Sequence, residues 1–138
     1  MNLIVYYSKN KDILKIVSKY KDTYDADLYE IETINNVNLL NMITNSDISI
    51  KRCNLNLTNY KSIILISPLW FNKIPSPVIR FLEQSAGHIK NITYILYNKN
   101  KKDKEKEFDK MDRILNLRRE KSYFVSLNKK DIHVRVYQ

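Results

Sequence analysis

Glycine is almost missing: the 138-residue chain has one, Gly87. A dinucleotide-binding fingerprint needs several glycines for a tight turn and close backbone approach, and a P-loop needs them to cradle phosphates. Both motifs are excluded, and with them a Rossmann-type NAD site and P-loop nucleotide hydrolysis. Cysteine is equally scarce. Cys53 stands alone, so neither a disulfide framework nor a cysteine-based metal site can form. It reads as a small buried or half-buried residue. His88 and His133 are far from each other and from paired carboxylates, which argues against a metal site. No Ser-His-Asp arrangement can be argued. No apolar run approaches the ~18 residues of a membrane span. The start, Met1-Asn2-Leu3-Ile4-Val5, lacks the basic region and cleavage site of a signal peptide. It reads as a first strand, and the expected setting is the cytoplasm.

What is present fits one domain over residues 1–138, with 43% apolar residues to build a core. The net charge is +9, from 24 basic and 15 acidic residues. Such a charge can mark nucleic-acid or acidic partners. Heavy use of Asn, Lys, Ile and Tyr points to an AT-rich coding genome, which inflates lysine for reasons unrelated to function. The densest charge, residues 98–110, mixes signs and reads as a solvated loop and helix face. A nucleic-acid role is therefore not favoured; it would need aromatics and lysines interleaved on one face.

Periodicity divides the chain into alternating elements. Residues 2–7, 62–67, 92–97 and 122–127 read as strands, and 26–32 as a more polar strand at an edge. Residues 11–21 carry an apolar stripe of Ile13, Leu14, Ile16, Val17 and Tyr20. Residues 36–45 predict a helix with Val37, Leu40 and Ile43 inward. Residues 76–85 and 103–120 predict two more. Residues 132–137 alternate cleanly and add a short strand or extended tail. The order β-α-β-α-β-α-β-α-β implies an α/β, doubly wound parallel sheet.

The most informative stretch is Ser67-Pro68-Leu69-Trp70-Phe71-Asn72, between a strand and the helix opened by Ser76-Pro77. Ser76 is a good N-cap and Pro77 suits the first helical turn. In open α/β sheets, ligands bind at loops beyond the carboxyl ends of strands. There the Trp70–Phe71 pair offers a flat apolar surface to a planar ring, or else Trp70 packs on the protein itself. Asn72 either hydrogen-bonds a ligand edge or stabilises the turn.

That stretch, continued by Pro75-Ser76-Pro77-Val78 and Phe81-Leu82-Glu83, resembles the second flavin-contacting loop of flavodoxin-like proteins. Leu3-Ile4-Val5-Tyr6-Tyr7-Ser8 is similar to the family's first strand running into its phosphate loop. Tyr60-Lys61-Ser62 stands where the family often has Tyr-Asp. The resemblance covers residues 1–97. It implies a five-stranded parallel sheet in the order 2-1-3-4-5, here without the usual last helix. It further implies non-covalent FMN, an electron carrier or small flavin reductase, a redox partner protein or small acceptor, and a monomer or homodimer.

The family's phosphate loop reads Ser/Thr-x-Thr-Gly-x-Thr. This chain has Ser8-Lys9-Asn10-Lys11-Asp12-Ile13 in that place. Ser8 matches, and the Asn10 amide can stand for the first Thr. Lys11 replaces the glycine and Ile13 the last Thr. Asp12 puts a negative charge beside a dianion, with Lys9 and Lys11 to compensate. The competing account is that Asn10 or Asp12 simply caps the helix. In the third flavin loop stand Tyr97 and Asn98, where Tyr97 is either a second stacking face or an ordinary strand-end tyrosine. The runner-up function is a flavin-free fold serving as a protein-interaction module. A phosphoacceptor receiver domain is rejected, because Ser67-Pro68 and Ser8-Lys9 stand where its carboxylates belong.

Overall fold

The computed structural model describes residues 1–8, 11–98, 105–127 and 132–137. Six strands form one sheet: β1 (Asn2–Tyr6), β2 (Ala26–Glu30), β3 (Ser62–Pro68), β4 (Ile92–Tyr97), β5 (Lys121–Leu127) and β6 (Ile132–Tyr137). Their order is β2-β1-β3-β4-β5-β6. The first five are parallel. β6 pairs antiparallel to β5, with Leu127 opposite Ile132. The tail is thus a sixth strand, the first of the two readings of residues 132–137, added to the five parallel strands. Only four residues join β5 to β6, too few for the crossover that a parallel pair requires. Among the described residues no helix follows β5.

The helices are α1 (Lys11–Tyr24), α2 (Leu39–Thr44), α3 (Ser76–Ser85) and α4 (Glu105–Leu115). Alternation along the strands builds two cores. Leu3, Val5, Ile63, Leu65, Tyr94 and Leu96 pack with Val78 and Phe81 of α3 and Phe108 and Met111 of α4. Ile4, Ile64, Ile66 and Ile95 pack on the other face with Ile13, Ile16, Val17 and Tyr20 of α1. β3 and β4 are buried on both faces, which is why they read as unbroken apolar runs. Leu14, expected on the α1 stripe, is exposed.

With one glycine available, other residues close the helices. Asp25, Asn45 and Asn116 take positive φ of 47°, 48° and 51° just past α1, α2 and α4. Asn and Asp tolerate this left-handed conformation better than other side chains.

Two expectations need correction. α2 is only six residues long, braced by reciprocal bonds between Asn38 and Asn41, and Leu40 and Ile43 face solvent. Val37 packs on the core as expected, and Met42 takes the inward place of the other two. Ser76 is not the cap of α3; it is the first helical residue, after Pro75. Its N–H donates to Asn45 Oδ1 at 2.8 Å, and its hydroxyl donates to the Ser46 carbonyl at 2.6 Å. The α3 N-terminus is therefore satisfied from the end of α2.

Candidate functional site

The carboxyl ends of β1, β3 and β4 bring together Tyr7, Ser8, the Leu69–Ile74 loop, Tyr97 and Asn98. Pro68 pairs with Tyr97 in the β3–β4 register. The Leu69 N–H donates to the Tyr97 carbonyl at 3.0 Å. Ser67 is buried, and its hydroxyl donates to the Pro68 carbonyl at 2.7 Å. Ser67, Pro68 and the nearly buried Leu69 are thus the frame of the loop.

Trp70 and Lys73 close a two-residue turn, exchanging N–H to carbonyl bonds of 2.8 and 2.9 Å. Both central residues have positive φ, Phe71 at 49° and Asn72 at 68°. This is the backbone sign pattern of a type I′ turn. Asn suits it. A bulky aromatic does not, and holding Phe71 there costs roughly 1–3 kcal/mol. Such strain persists only where surrounding structure fixes it. Here Asn98 Nδ2 donates to Asn72 Oδ1 at 2.9 Å, tying the turn to the end of β4. The Ile74 N–H donates to Glu107 Oε2 at 3.3 Å, tying it to α4. Asn45 Nδ2 donates to the Ile74 carbonyl at 2.9 Å, tying it to α2.

The turn sends its two rings in opposite directions. Phe71 is 59% exposed, whereas Trp70 is 3% exposed. Trp70 lies edge-on to Tyr7, with centroids 5.7 Å apart and planes at 69°. The expected exposed pair is therefore corrected to one exposed ring, Phe71, because the turn buries Trp70 against β1. Trp70 Nε1 and the Tyr7 hydroxyl are both buried with no hydrogen-bond partner. Burial pushes the Tyr7 hydroxyl up to about 12.

Tyr97 does not supply a second stacking face. Its ring is buried on the α1 side of the sheet, and its hydroxyl donates to Asp12 Oδ2 at 2.8 Å. Burial first, and then the Asp12 carboxylate, push the Tyr97 hydroxyl well above its ordinary value. Asp12 is half-buried in the first turn of α1, where a negative charge is favoured by the helix dipole. Neighbouring Lys11 is exposed. Ile13 is fully buried against the sheet, so its side chain faces the core and leaves the loop without that contact. Lys9 and Asn10 lie outside the described residues. Ser8 is half-buried at the loop entrance.

Sequence reasoning missed Tyr7, Asn45 and Glu107. Tyr7 was legible as an aromatic ending a core strand. Nothing local marks Asn45 or Glu107, since both act on the loop across about thirty residues of chain.

The chain superimposes on a flavoprotein from Lactobacillus acidophilus NCFM crystallised in complex with FMN, with a TM-score of 0.71 and 17% identity over 91% of each chain. A candidate flavoprotein from Bacteroides eggerthii DSM 20697 gives a TM-score of 0.78 and 16% identity over 94% of this chain and 89% of that one. The fold is flavodoxin-like. The apo form of the Lactobacillus protein also matches, with a TM-score of 0.71 and 18% identity over 89% and 90% of the two chains. No protein-family model and no curated protein matches the sequence. No helix among the described residues is long and apolar enough to cross a membrane.

Within this flavodoxin-like fold, the residues can be tested against a bound flavin. Phe71 presents an exposed ring on a braced turn, as a planar ligand needs. The first turn of α1 carries the positive end of the helix dipole, which favours an anion, with Lys11 beside it. Two buried donors beneath the turn, on Tyr7 and Trp70, are without partners. The ring and phosphate ends of FMN both find chemistry that fits.

Proposed function

We propose that this chain binds FMN non-covalently at the carboxyl edge of the sheet and moves electrons to a protein partner or a small acceptor. The observation that carries the reading is Phe71, held exposed and at positive φ beside the ends of β1 and β4. A strained, solvent-facing aromatic at that edge has no packing role, and a planar ring is what it suits. The FMN complex of a neighbour with the same fold supports the choice of flavin.

In this reading Phe71 stacks on the ring, and Asn72 and Asn98 hold the two loops at a fixed separation. The N-terminus of α1, with Ser8 and Lys11, receives the phosphate. Bound FMN would supply the one- and two-electron chemistry, while the protein supplies orientation and electrostatics. No side chain is assigned as acid, base or nucleophile. A cytoplasmic setting goes with this reading, supported by the single cysteine. The test is absorbance of the purified protein and titration of stripped protein with FMN. A flavin spectrum and saturable quenching at one site are expected; a colourless protein that takes up no FMN overturns the proposal.

A second reading, a flavin-free interaction module, is favoured by α2. Leu39, Leu40 and Ile43 are 63%, 65% and 56% exposed, on a segment without a charged residue from Thr33 to Ser46. The same titration separates the two readings.

A further inference from the structure

A groove of about 550 Å³ opens on the α3 face, away from the Trp70 turn. Its origin is local. After Ile50 the chain crosses this face without regular structure until the short 3-10 turn Leu57–Asn59. A helix would have filled the space; an irregular strand of chain leaves a gap against the end of α3. Ile50 and Leu57, both buried, belong to its apolar lining. Arg52 and Leu55 stand on one side, Gln84 and His88 on the other. Arg52 is an exposed guanidinium, and the lining contains no carboxylate.

We propose that this groove binds a small organic anion, a carboxylate or sulfonate carried on a flat apolar body. Clefts of ~300–1,000 Å³ with apolar walls and a few polar groups are the usual form of small-molecule sites. The apolar lining takes the body and Arg52 takes the charge. The net charge of +9 raises the local concentration of anions. The end of α3 presents carbonyls, which repel an anion, but that of Ser85 already accepts the His88 N–H at 2.9 Å. The anionic head therefore lies toward Arg52.

The groove runs from the chain just past β2, where Ile50 bridges Thr33, to the end of α3, and it shares no residue with the flavin edge. Six residues separate α3 from β4, and the Asn91 carbonyl accepts the Ile63 N–H where β3 and β4 begin. Gln84 and His88 thus lie toward the amino ends of the strands, while Phe71 lies at the carboxyl ends. Because the two sets of lining residues are separate, both sites can be filled together.

The experiment uses the full chain and 1-anilinonaphthalene-8-sulfonate, a fluorescent aromatic anion, against its neutral relative N-phenyl-1-naphthylamine. Saturable one-site binding of the anion is expected. Arg52→Glu should weaken it about tenfold or more, the scale of one lost charge contact, with the neutral probe changed much less. Arg52→Gln should fall between. Arg52 is exposed, so circular dichroism and the urea midpoint should be unchanged in both variants. Cys53 lines the groove and is the chain's single cysteine, so bound probe should slow its alkylation by iodoacetamide. Equal affinity in Arg52→Glu, unprotected Cys53, or displacement of the probe by FMN would each overturn the proposal.

Discussion

The Tyr97 hydroxyl donates to Asp12 Oδ2 at 2.8 Å, joining residues 85 apart in sequence. The bond ties the first turn of α1 to the end of β4, so it sets the mouth of the proposed phosphate loop. It also occupies a carboxylate that would otherwise face an incoming anion. Tyr97→Phe should cost roughly 1.5 kcal/mol, the scale of a hydrogen bond to a charged group. Asp12→Ala should cost about as much. The double variant should be little worse than either alone. A double-mutant cycle from urea unfolding measures this, and a coupling energy near zero would remove the bond from the account.

Trp70 and Phe71 should separate stability from binding. Trp70→Ala opens a cavity in the core and should cost about 3–5 kcal/mol of stability. Phe71→Gly relieves a left-handed backbone at an exposed site and should stabilise by roughly 1 kcal/mol. The same change should weaken FMN by about 1–2 kcal/mol, through lost stacking and area. Unfolding curves and FMN titrations on both variants give the answer. A Phe71→Gly protein that binds FMN normally would show that the exposed ring does not touch the flavin.

Much of this fold was readable because the informative residues act locally. Ile63–Ile66 and Ile92–Tyr97 are apolar at every position but one, and only a strand buried on both faces uses such a run. The direction of β6 was not readable from its alternation; the short connection after β5 decides it. In the site, Asn72 was a fair turn signal, but no local pattern says that Phe71 adopts positive φ. That single conformation exchanges the roles of the two rings. Leu40 and Ile43 have helical spacing, yet α2 ends at Thr44 with Asn45 turned left-handed to brace Ile74 and Ser76. Tertiary hydrogen bonds, not periodicity, set that helix's face.

Alkali should destabilise the protein through its buried tyrosines. An unfolded tyrosine ionises near 10, whereas Tyr7 holds its proton to about 12. Between those values the unfolded chain has released a proton that the folded chain keeps. Stability contributed by Tyr7 is therefore full below pH 10 and is lost as pH rises toward 12, by up to ~1.4 kcal/mol per pH unit. Tyr7→Phe should flatten part of this fall. It should also be neutral or stabilising by about 1 kcal/mol at pH 7, because it removes a buried hydroxyl without a partner. Urea midpoints at pH 8, 10 and 11 for both proteins decide the matter. An equal alkaline slope in the variant would contradict the assignment to Tyr7.

Two charges at the start of α1 should act on FMN in opposite directions and leave riboflavin nearly unmoved. Lys11 and Asp12 occupy the first turn, where N–H groups and the helix dipole meet an anion. Asp12→Asn removes a negative charge while keeping an oxygen that can accept from Tyr97. It should tighten FMN by about 0.5–1 kcal/mol, on the scale of charges at helix termini. Lys11→Gln should loosen FMN. Riboflavin lacks the phosphate and carries no charge there, so neither change should alter its affinity by more than a small factor. Added salt should shrink both FMN effects, because the Debye length falls from ~10 Å at 0.1 M to ~3 Å at 1 M. Titrating both flavins into the three proteins at two salt concentrations tests the placement. If riboflavin follows FMN in each variant, the start of α1 is not a phosphate site, and the uncharged apolar face of α2 becomes the better guide to what this protein does.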